Sequence, residues 1–400
     1  MQLGKSLAAM PSSGIRDTFN RIAGLSDIIN LAPGEPNFPT PPHIVAAASR
    51  AIEAGHTKYV SNAGLPELRR QICRKLKAHN GITAGPDEIV VTHGAMGALY
   101  SAFAGLVEPG DEVLLPDPSW PNFTMMATLR SATIRGYRVA AENGFLPDMA
   151  ELETLVGPAT KLLLINSPLN PIGSVIPRRR MAELLDFAAA HDLWLVCDEA
   201  YDALTYTDSF VSAASLGRRE RVIAVYSFSK TYAMTGWRIG YMVVPGGLAA
   251  AFADLQEAMI SCASTPGQWA ALAALEGPQD VVAEMREAYA ARRQLALDVL
   301  ARHGVSAHPP EGAFYLWIDI RAAGLPSREF AKTLLETHQV AIVPGLDFGP
   351  GGEGNVRASL AAAPEAIAEG LGRLGQYHAE CAAGAGRQPK RAALNGRRNG

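Results

Sequence analysis

Runs of aliphatic and β-branched residues recur along this chain, at 88–92 (EIVVT), 111–116 (DEVLLP), 161–165 (KLLLI), 193–197 (LWLVC) and 222–226 (VIAVY). None alternates strictly between apolar and polar positions, so each reads as a strand buried on both faces. Helical periodicity fills the intervals; Met181, Leu184, Leu185 and Ala188 fall on one face of a segment at 177–191. Such strands alternating with amphipathic helices specify an α/β fold, a mostly parallel sheet covered by helices on both sides. Ligands of these sheets sit outside the carboxyl ends of the strands. Here those ends carry Trp120, Asn170, Asp198, Tyr201, Ser227 and Lys230. Singly, each has a plainer explanation: Asn170 before Pro171 suits a turn, and Trp120 suits packing. Together on one edge they point to a coordinated site.

The run at 222–226 leads straight into SFSKTYAMTGWR at 227–238. An ammonium at the tip of a buried strand is solvated, paired or used chemically. Arg238, among Trp237, Ile239 and Tyr241, suits a bidentate anion such as phosphate. The run at 88–92 meets Gly94, after which apolar positions 95, 98, 99, 102, 103 and 106 continue as a helix. A strand, a glycine and a helix start make an anion site from free backbone N–H groups, although this stretch is neither a GxGxxG nor a P-loop.

These residues match the functional groups of pyridoxal 5′-phosphate. A lysine such as Lys230 forms a Schiff base with an aldehyde. Asp198, ending a buried strand, suits the ring nitrogen, whose protonation makes the ring an electron sink. Asn170 and Tyr201 supply donors for the phenolic oxygen, and Trp120 offers a face to the ring. The helix start at Gly94, Ala95 and Met96, with Ser227 and Arg238, suits the phosphate.

The remaining chain sets the domain plan. Residues 1–45 read as an irregular arm in which LAPGEPNFPTPP forms an extended, turn-rich stretch. Gly34 within it is either a turn glycine or a point of close backbone approach to a ligand. The large domain spans 46–285 and a smaller α+β domain 286–381. The latter holds a long helix stopped by Gly304, strands at 313–320, 340–343 and 355–360, and helices from 327 and 364. Arg357 interrupts the strand at 355–360 and is either an edge arginine facing water or a site residue. Residues 382–400, rich in Gly, Ala, Arg and Asn, read as a disordered tail. A net charge of −3 gives no basic field for nucleic acid, and no apolar run reaches membrane-spanning length. The N-terminus lacks the pattern of a signal peptide. Cys73, Cys197, Cys262 and Cys381 are scattered without disulfide or zinc spacing, which implies a reduced, cytoplasmic protein with no metal site.

From about Met10 to Ala379 the sequence resembles the class I/II aminotransferases, PLP fold type I. The resemblance is carried by GEPNFPTP at 34–41, KYVSNAGLPELR at 58–69, VTHGAMGAL at 91–99, DPSWPN at 117–122, NSPLNPIG at 166–173, DEAY at 198–201, SFSKTYAMTGWRIGY at 227–241, EGAFYLW at 311–317 and VRASL at 356–360. It implies a seven-stranded sheet in the large domain, with the small domain drawn from the arm and the C-terminal part. It makes Lys230 the cofactor-bearing lysine, Asp198 the ring-nitrogen partner, and Asn170 and Tyr201 the ligands of the phenolic oxygen. Trp120 stacks on or lines the cofactor. Ser227 and Arg238 bind phosphate, joined by Tyr59 from the neighbouring subunit of a homodimer. Arg357 becomes the clamp on the substrate's α-carboxylate, with Gly34 closing over it. Ile172 stands where many relatives have threonine. Met96 stands where several aspartate-specific relatives have lysine.

The expected function is transfer of an amino group between an amino acid and a 2-oxo acid, by a ping-pong Schiff-base route. A lyase, cyclase or oxidase on the same scaffold is the alternative, because one electron sink serves several bond choices. A transcription regulator with a ligand-sensing domain of this type would carry a DNA-binding domain ahead of the match, where only about ten residues stand.

Overall fold

The structure, a computed structural model, describes residues 3–384. Two compact units divide the chain. The larger takes residues up to Pro11, Glu35–Ala288 and Glu311–Ala313; the smaller takes Ser12–Gly34, Tyr289–Pro310 and the chain from Phe314 on.

The larger unit is built on a seven-stranded sheet. Across it the strands run Ile89–His93, Ile239–Val243, Val222–Ser227, Trp194–Asp198, Thr160–Asn166, Glu112–Asp117 and Thr133–Arg138. All are parallel except Ile239–Val243, which is antiparallel to both its neighbours. The apolar runs are continuous because Val222–Ser227 and Ile239–Val243 are buried at every residue. Phe103 and Phe123, from the helices Gly94–Leu106 and Asn122–Leu129, pack with Leu162, Leu164, Ile223 and Val225 in one core cluster. Thr133–Arg138 lies at the sheet edge with most of its residues outside the core, so it lacks the apolar signature of the others.

The smaller unit has an antiparallel sheet ordered Val343–Pro344, Asn355–Ser359, Tyr315–Asp319 and Ala307–His308. Ser327–His338 and Pro364–Ala383 are two of its helices. The helix Asp280–Arg302 ends before Gly304, whose φ of 68° is the left-handed geometry expected of a terminating glycine.

The structure corrects three expectations. The N-terminal arm is not wholly irregular: Lys5–Ala9 and Gly14–Ile22 are helical, the second with the Ser13 hydroxyl accepting from the Arg16 N–H. The strand expected at 340–343 is two. Val340–Ala341 pairs with Ile29–Asn30, and Val343–Pro344 pairs with Asn355–Ser359, so the chain changes sheets at Ile342. Residues 382 and 383, expected at the start of the tail, are helical, since the last helix runs through Ala383; the rest of the expected tail, 385–400, lies outside the described residues.

Candidate active site

The reversed strand explains how the site is assembled. Ile239–Val243 runs against its neighbours, so its first residue lies at the edge where theirs end: Ile239 pairs with His93, and Gly240 with Ser227. Arg238 therefore enters beside Gly94 and Ser227. Next along the same edge come Asp198, which pairs with Val225 on one side and Asn166 on the other.

Gly94, the first residue of Gly94–Leu106, has a φ of 68°, and a Cβ there would run into the Arg238 guanidinium. Only glycine satisfies both conditions. A Cβ on Gly240 would likewise strike the backbone at Gly94 and Ala95. The helix N-terminus, with Ala95 and Met96 in its first turn, is thus drawn against Arg238. Arg238 itself is left-handed (φ 57°) and donates from Nη1 to the Thr235 carbonyl at 2.7 Å. Burial alone lowers its pKa. A half-buried guanidinium beside free helix N–H groups is a cradle for a dianion.

Asp198 is 5 % exposed. Burial pushes its carboxyl up to about 6, against the Ala200 N–H that it accepts at 3.1 Å and the charge of Lys230, both of which favour the anion. Lys230 sits partly buried in the short helix Phe228–Thr231, whose first N–H groups include that of Ser229 bonded to Ser227 Oγ at 3.1 Å. Asn170 is buried; its N–H donates to Asn166 Oδ1, and Asn166 Nδ2 donates to the Asp198 carbonyl, each at 2.9 Å. Asn170 is therefore tethered to the strand end that carries Asp198. Tyr201 is buried three residues beyond it. Trp120 is half-buried and meets Phe123 edge-on at 5.5 Å, and Met96 Sδ lies 3.9 Å from Asn122 Nδ2.

Tyr59 stands apart from this set as an 85 % exposed side chain. Its loop is nevertheless fixed. Thr265 Oγ1 donates to the Lys58 carbonyl, Asn62 Nδ2 to Glu257, and the Leu65 N–H to Gln268 Oε1, each at 2.8 Å. Gly34 and Arg357 belong to the smaller unit. Arg357 is 1 % exposed, with its guanidinium 4.2 Å from the Tyr315 ring centroid and 5.0 Å from that of Phe348. Its Nη2 donates to the Ala32 carbonyl at 2.8 Å, and a Cβ on Gly34 would lie 3.0 Å from the Tyr315 hydroxyl. Arg357 is not an edge residue facing water: its strand pairs on both sides.

Sequence reading assigned nothing to Glu199, which is buried next to Asp198 and accepts from Tyr226, Ser212 and Ala213. Burial pushes its carboxyl up to about 7 in spite of those donors, with Asp202 adding to the rise. The available signal was a second carboxylate directly after a buried strand.

A buried carboxylate needing a cation, a lysine near it and a cradle kept open by Gly94 fit pyridoxal 5′-phosphate by their chemistry. When bound, the cofactor supplies an electron sink conjugated to the amino group of an amino acid. Fold and site thus define a pyridoxal-phosphate enzyme of the α/β type. The sequence matches the family model for aminotransferase class I and II over residues 26–374. It is 40 % identical to the aspartate aminotransferase of Pyrococcus abyssi, covering 94 % of this chain and 97 % of that protein. It is 38 % identical to aromatic-amino-acid aminotransferase 2 of Thermococcus litoralis, again over 94 % and 97 %. The structure superposes on aspartate aminotransferase from Thermus thermophilus with maleate at a TM-score of 0.90, with 35 % identity over 94 % of this chain and 100 % of that one. The chain belongs to the class I and II aminotransferase family. It is a transaminase dependent on pyridoxal phosphate, and the lyase, cyclase or oxidase alternative is not favoured.

Proposed function

We propose that this transaminase takes neutral or aromatic amino acids as donors in preference to aspartate. The observation that carries the reading is Met96 in the first turn of the cradle helix, its sulfur beside the Asn122 amide. A distal carboxylate buried there needs a cation, and a thioether instead suits an apolar or aromatic side chain. Relatives named for aspartate and for aromatic amino acids are about equally similar, so local residues decide. Comparison of kcat/KM for phenylalanine, methionine, alanine and aspartate with one oxo-acid acceptor tests this. Phenylalanine or methionine should exceed aspartate by about tenfold or more, the discrimination expected from a pocket that leaves a charge unpaired. A preference for aspartate overturns it.

In the same reading Lys230 carries the cofactor, Asp198 faces its ring nitrogen, and Asn170 and Tyr201 its phenolic oxygen. Trp120 lines its ring. Gly94, Ala95, Met96, Ser227 and Arg238 hold its phosphate. Arg357, flat between two aromatic rings, takes the α-carboxylate of amino acid and 2-oxo acid alike by two parallel hydrogen bonds. Gly34, on the same side as the Tyr315 hydroxyl, serves that carboxylate too. The large domain over 46–285 is the cofactor-binding one, and the arm and the domain over 286–381 carry Gly34 and Arg357.

We infer a homodimer in which Tyr59 reaches the phosphate of the partner's cofactor. A tyrosine so exposed on a loop so firmly anchored supports this, as do the exposed Val45 and Ile52. Light scattering of the active enzyme should give twice the chain mass, and an active monomer would refute the shared site. No helix among the described residues is long and apolar enough to cross a membrane. Scattered, unpaired cysteines support a place in the cytoplasm.

A further inference from the structure

Along DEAYD the residues assigned to the cofactor, Asp198 and Tyr201, are each followed by an anchored acid, Glu199 and Asp202. Glu199 is 1 % exposed. Its Oε2 accepts the Tyr226 hydroxyl at 2.6 Å, and its Oε1 accepts Ser212 Oγ at 3.0 Å and the Ala213 N–H at 3.1 Å. Its own N–H donates to the Val225 carbonyl at 2.9 Å, extending the pairing between the strands Trp194–Asp198 and Val222–Ser227 one step past Asp198. Tyr226 is the residue before Ser227, whose hydroxyl caps the helix bearing Lys230. A single hydrogen bond thus joins the neighbour of Asp198 to the neighbour of Ser227, at the point where adjacent strands release both groups.

Tyr226 is held in turn. Its ring stacks on Tyr241 with centroids 5.1 Å apart, and the Lys75 ammonium sits 4.8 Å from its centroid. Lys75 pairs with Asp202, which also accepts Asn80 Nδ2 at 3.1 Å. Donors therefore hold both acids: Lys75 and Asn80 at Asp202, and Tyr226, Ser212 and Ala213 at Glu199. Packing alone would be met more cheaply by apolar side chains of similar volume, because buried acids carry a desolvation penalty. What an acid adds is direction: several donors fix its position and hence that of the backbone beside it.

We propose that Glu199 and Tyr226 are positioning residues for the transamination site, a clasp that sets the separation of Asp198 from the Lys230 helix and so the seat of the cofactor ring. This rests on the roles proposed above for Asp198 and Lys230. The test uses the holoenzymes of Tyr226→Phe and Glu199→Gln, with Tyr137→Phe as the control. Tyr137 also spends a buried hydroxyl on the sheet, donating to the Leu164 carbonyl at 2.9 Å, so the control loses a bond of the same kind away from the clasp.

Two readouts are taken at a temperature where all variants are folded by far-ultraviolet circular dichroism: the dissociation constant of pyridoxal phosphate, and the visible circular dichroism of the bound cofactor, which reports ring orientation. The clasp variants should bind the cofactor about tenfold more weakly, the cost seen when residues supporting a ligand shell are removed, and their visible band should change in amplitude. The control should match wild type in both. Wild-type affinity and dichroism in Tyr226→Phe and Glu199→Gln would overturn the proposal, and so would equal changes in Tyr137→Phe, which would make the effect one of general stability. An Asp198→Asn enzyme with wild-type turnover would instead refute the underlying reading, whatever the clasp variants do.

Discussion

Lys230→Ala is expected to abolish turnover, by about ten-thousandfold or more in kcat, and to remove the visible absorbance of the covalently held cofactor. In the assignment proposed above, two losses combine in this one change. The chain would lose both the amine that holds the cofactor at the edge of the sheet and the base that would take the proton from the α-carbon of the amino acid and return it. The side chain is well placed for both, on a short helix capped by Ser227 and close enough to Asp198 for its charge to favour the carboxylate. Borohydride reduction of the wild-type enzyme, followed by peptide mass analysis, should locate the pyridoxyl group on Lys230. Finding it on another lysine would refute the assignment.

The second large effect is expected at Asp198. In Asp198→Asn the shape is kept and the charge is lost, and kcat should fall about a hundredfold or more, corresponding to about 3 kcal/mol in the chemical step. Burial makes this carboxylate costly to ionise, raising it from its ordinary 3.8 to about 6. Between those values the folded, cofactor-free chain holds a proton that the unfolded chain has released. Raising the pH through that window therefore lowers the stability of the cofactor-free protein. In the assignment proposed above, a protonated ring nitrogen facing Asp198 would reverse the effect by giving the anion a partner. Single-turnover rates with one amino acid measure the loss; a rate near wild type would exclude the charge as the source of catalysis.

Much of this was legible in the sequence because the fold writes its site at the ends of apolar runs. Asp198 and Ser227 each end a strand buried on both faces, Lys230 follows three residues after Ser227, and the change from apolar to polar marks where the backbone leaves the sheet. The helix start at Gly94 was legible for the same reason. Ile239–Val243 went unread as a strand because only the four-residue helix Phe228–Thr231 and a turn separate it from Val222–Ser227, and its reversed direction breaks the alternation that revealed the others. Thr133–Arg138 is an edge strand without an apolar run. The division of 340–343 between two sheets depends on partners far away in the chain, Ile29–Asn30 and Asn355–Ser359, which no local pattern announces. Glu199 was missed for a similar reason. Its meaning lies in Tyr226 and Ser212, brought to it only when two strands and the connection between them come together.

The reversed strand also governs when binding becomes possible during synthesis. Ile239–Val243 inserts between Ile89–His93, made well before it, and Val222–Ser227, made just before it, strands far apart from each other in the chain. Until it is in place, those two are not joined in the sheet, and Arg238 does not face the turn at Gly94. A ribosome must release the chain beyond Val243 before the proposed phosphate cradle exists, although Gly94 emerged long before. Long-range pairing of this kind is slow because loop closure precedes its reward. Nascent lengths that end between Lys230 and Arg238 carry the aspartate and the lysine without the arginine of the proposed anion grip.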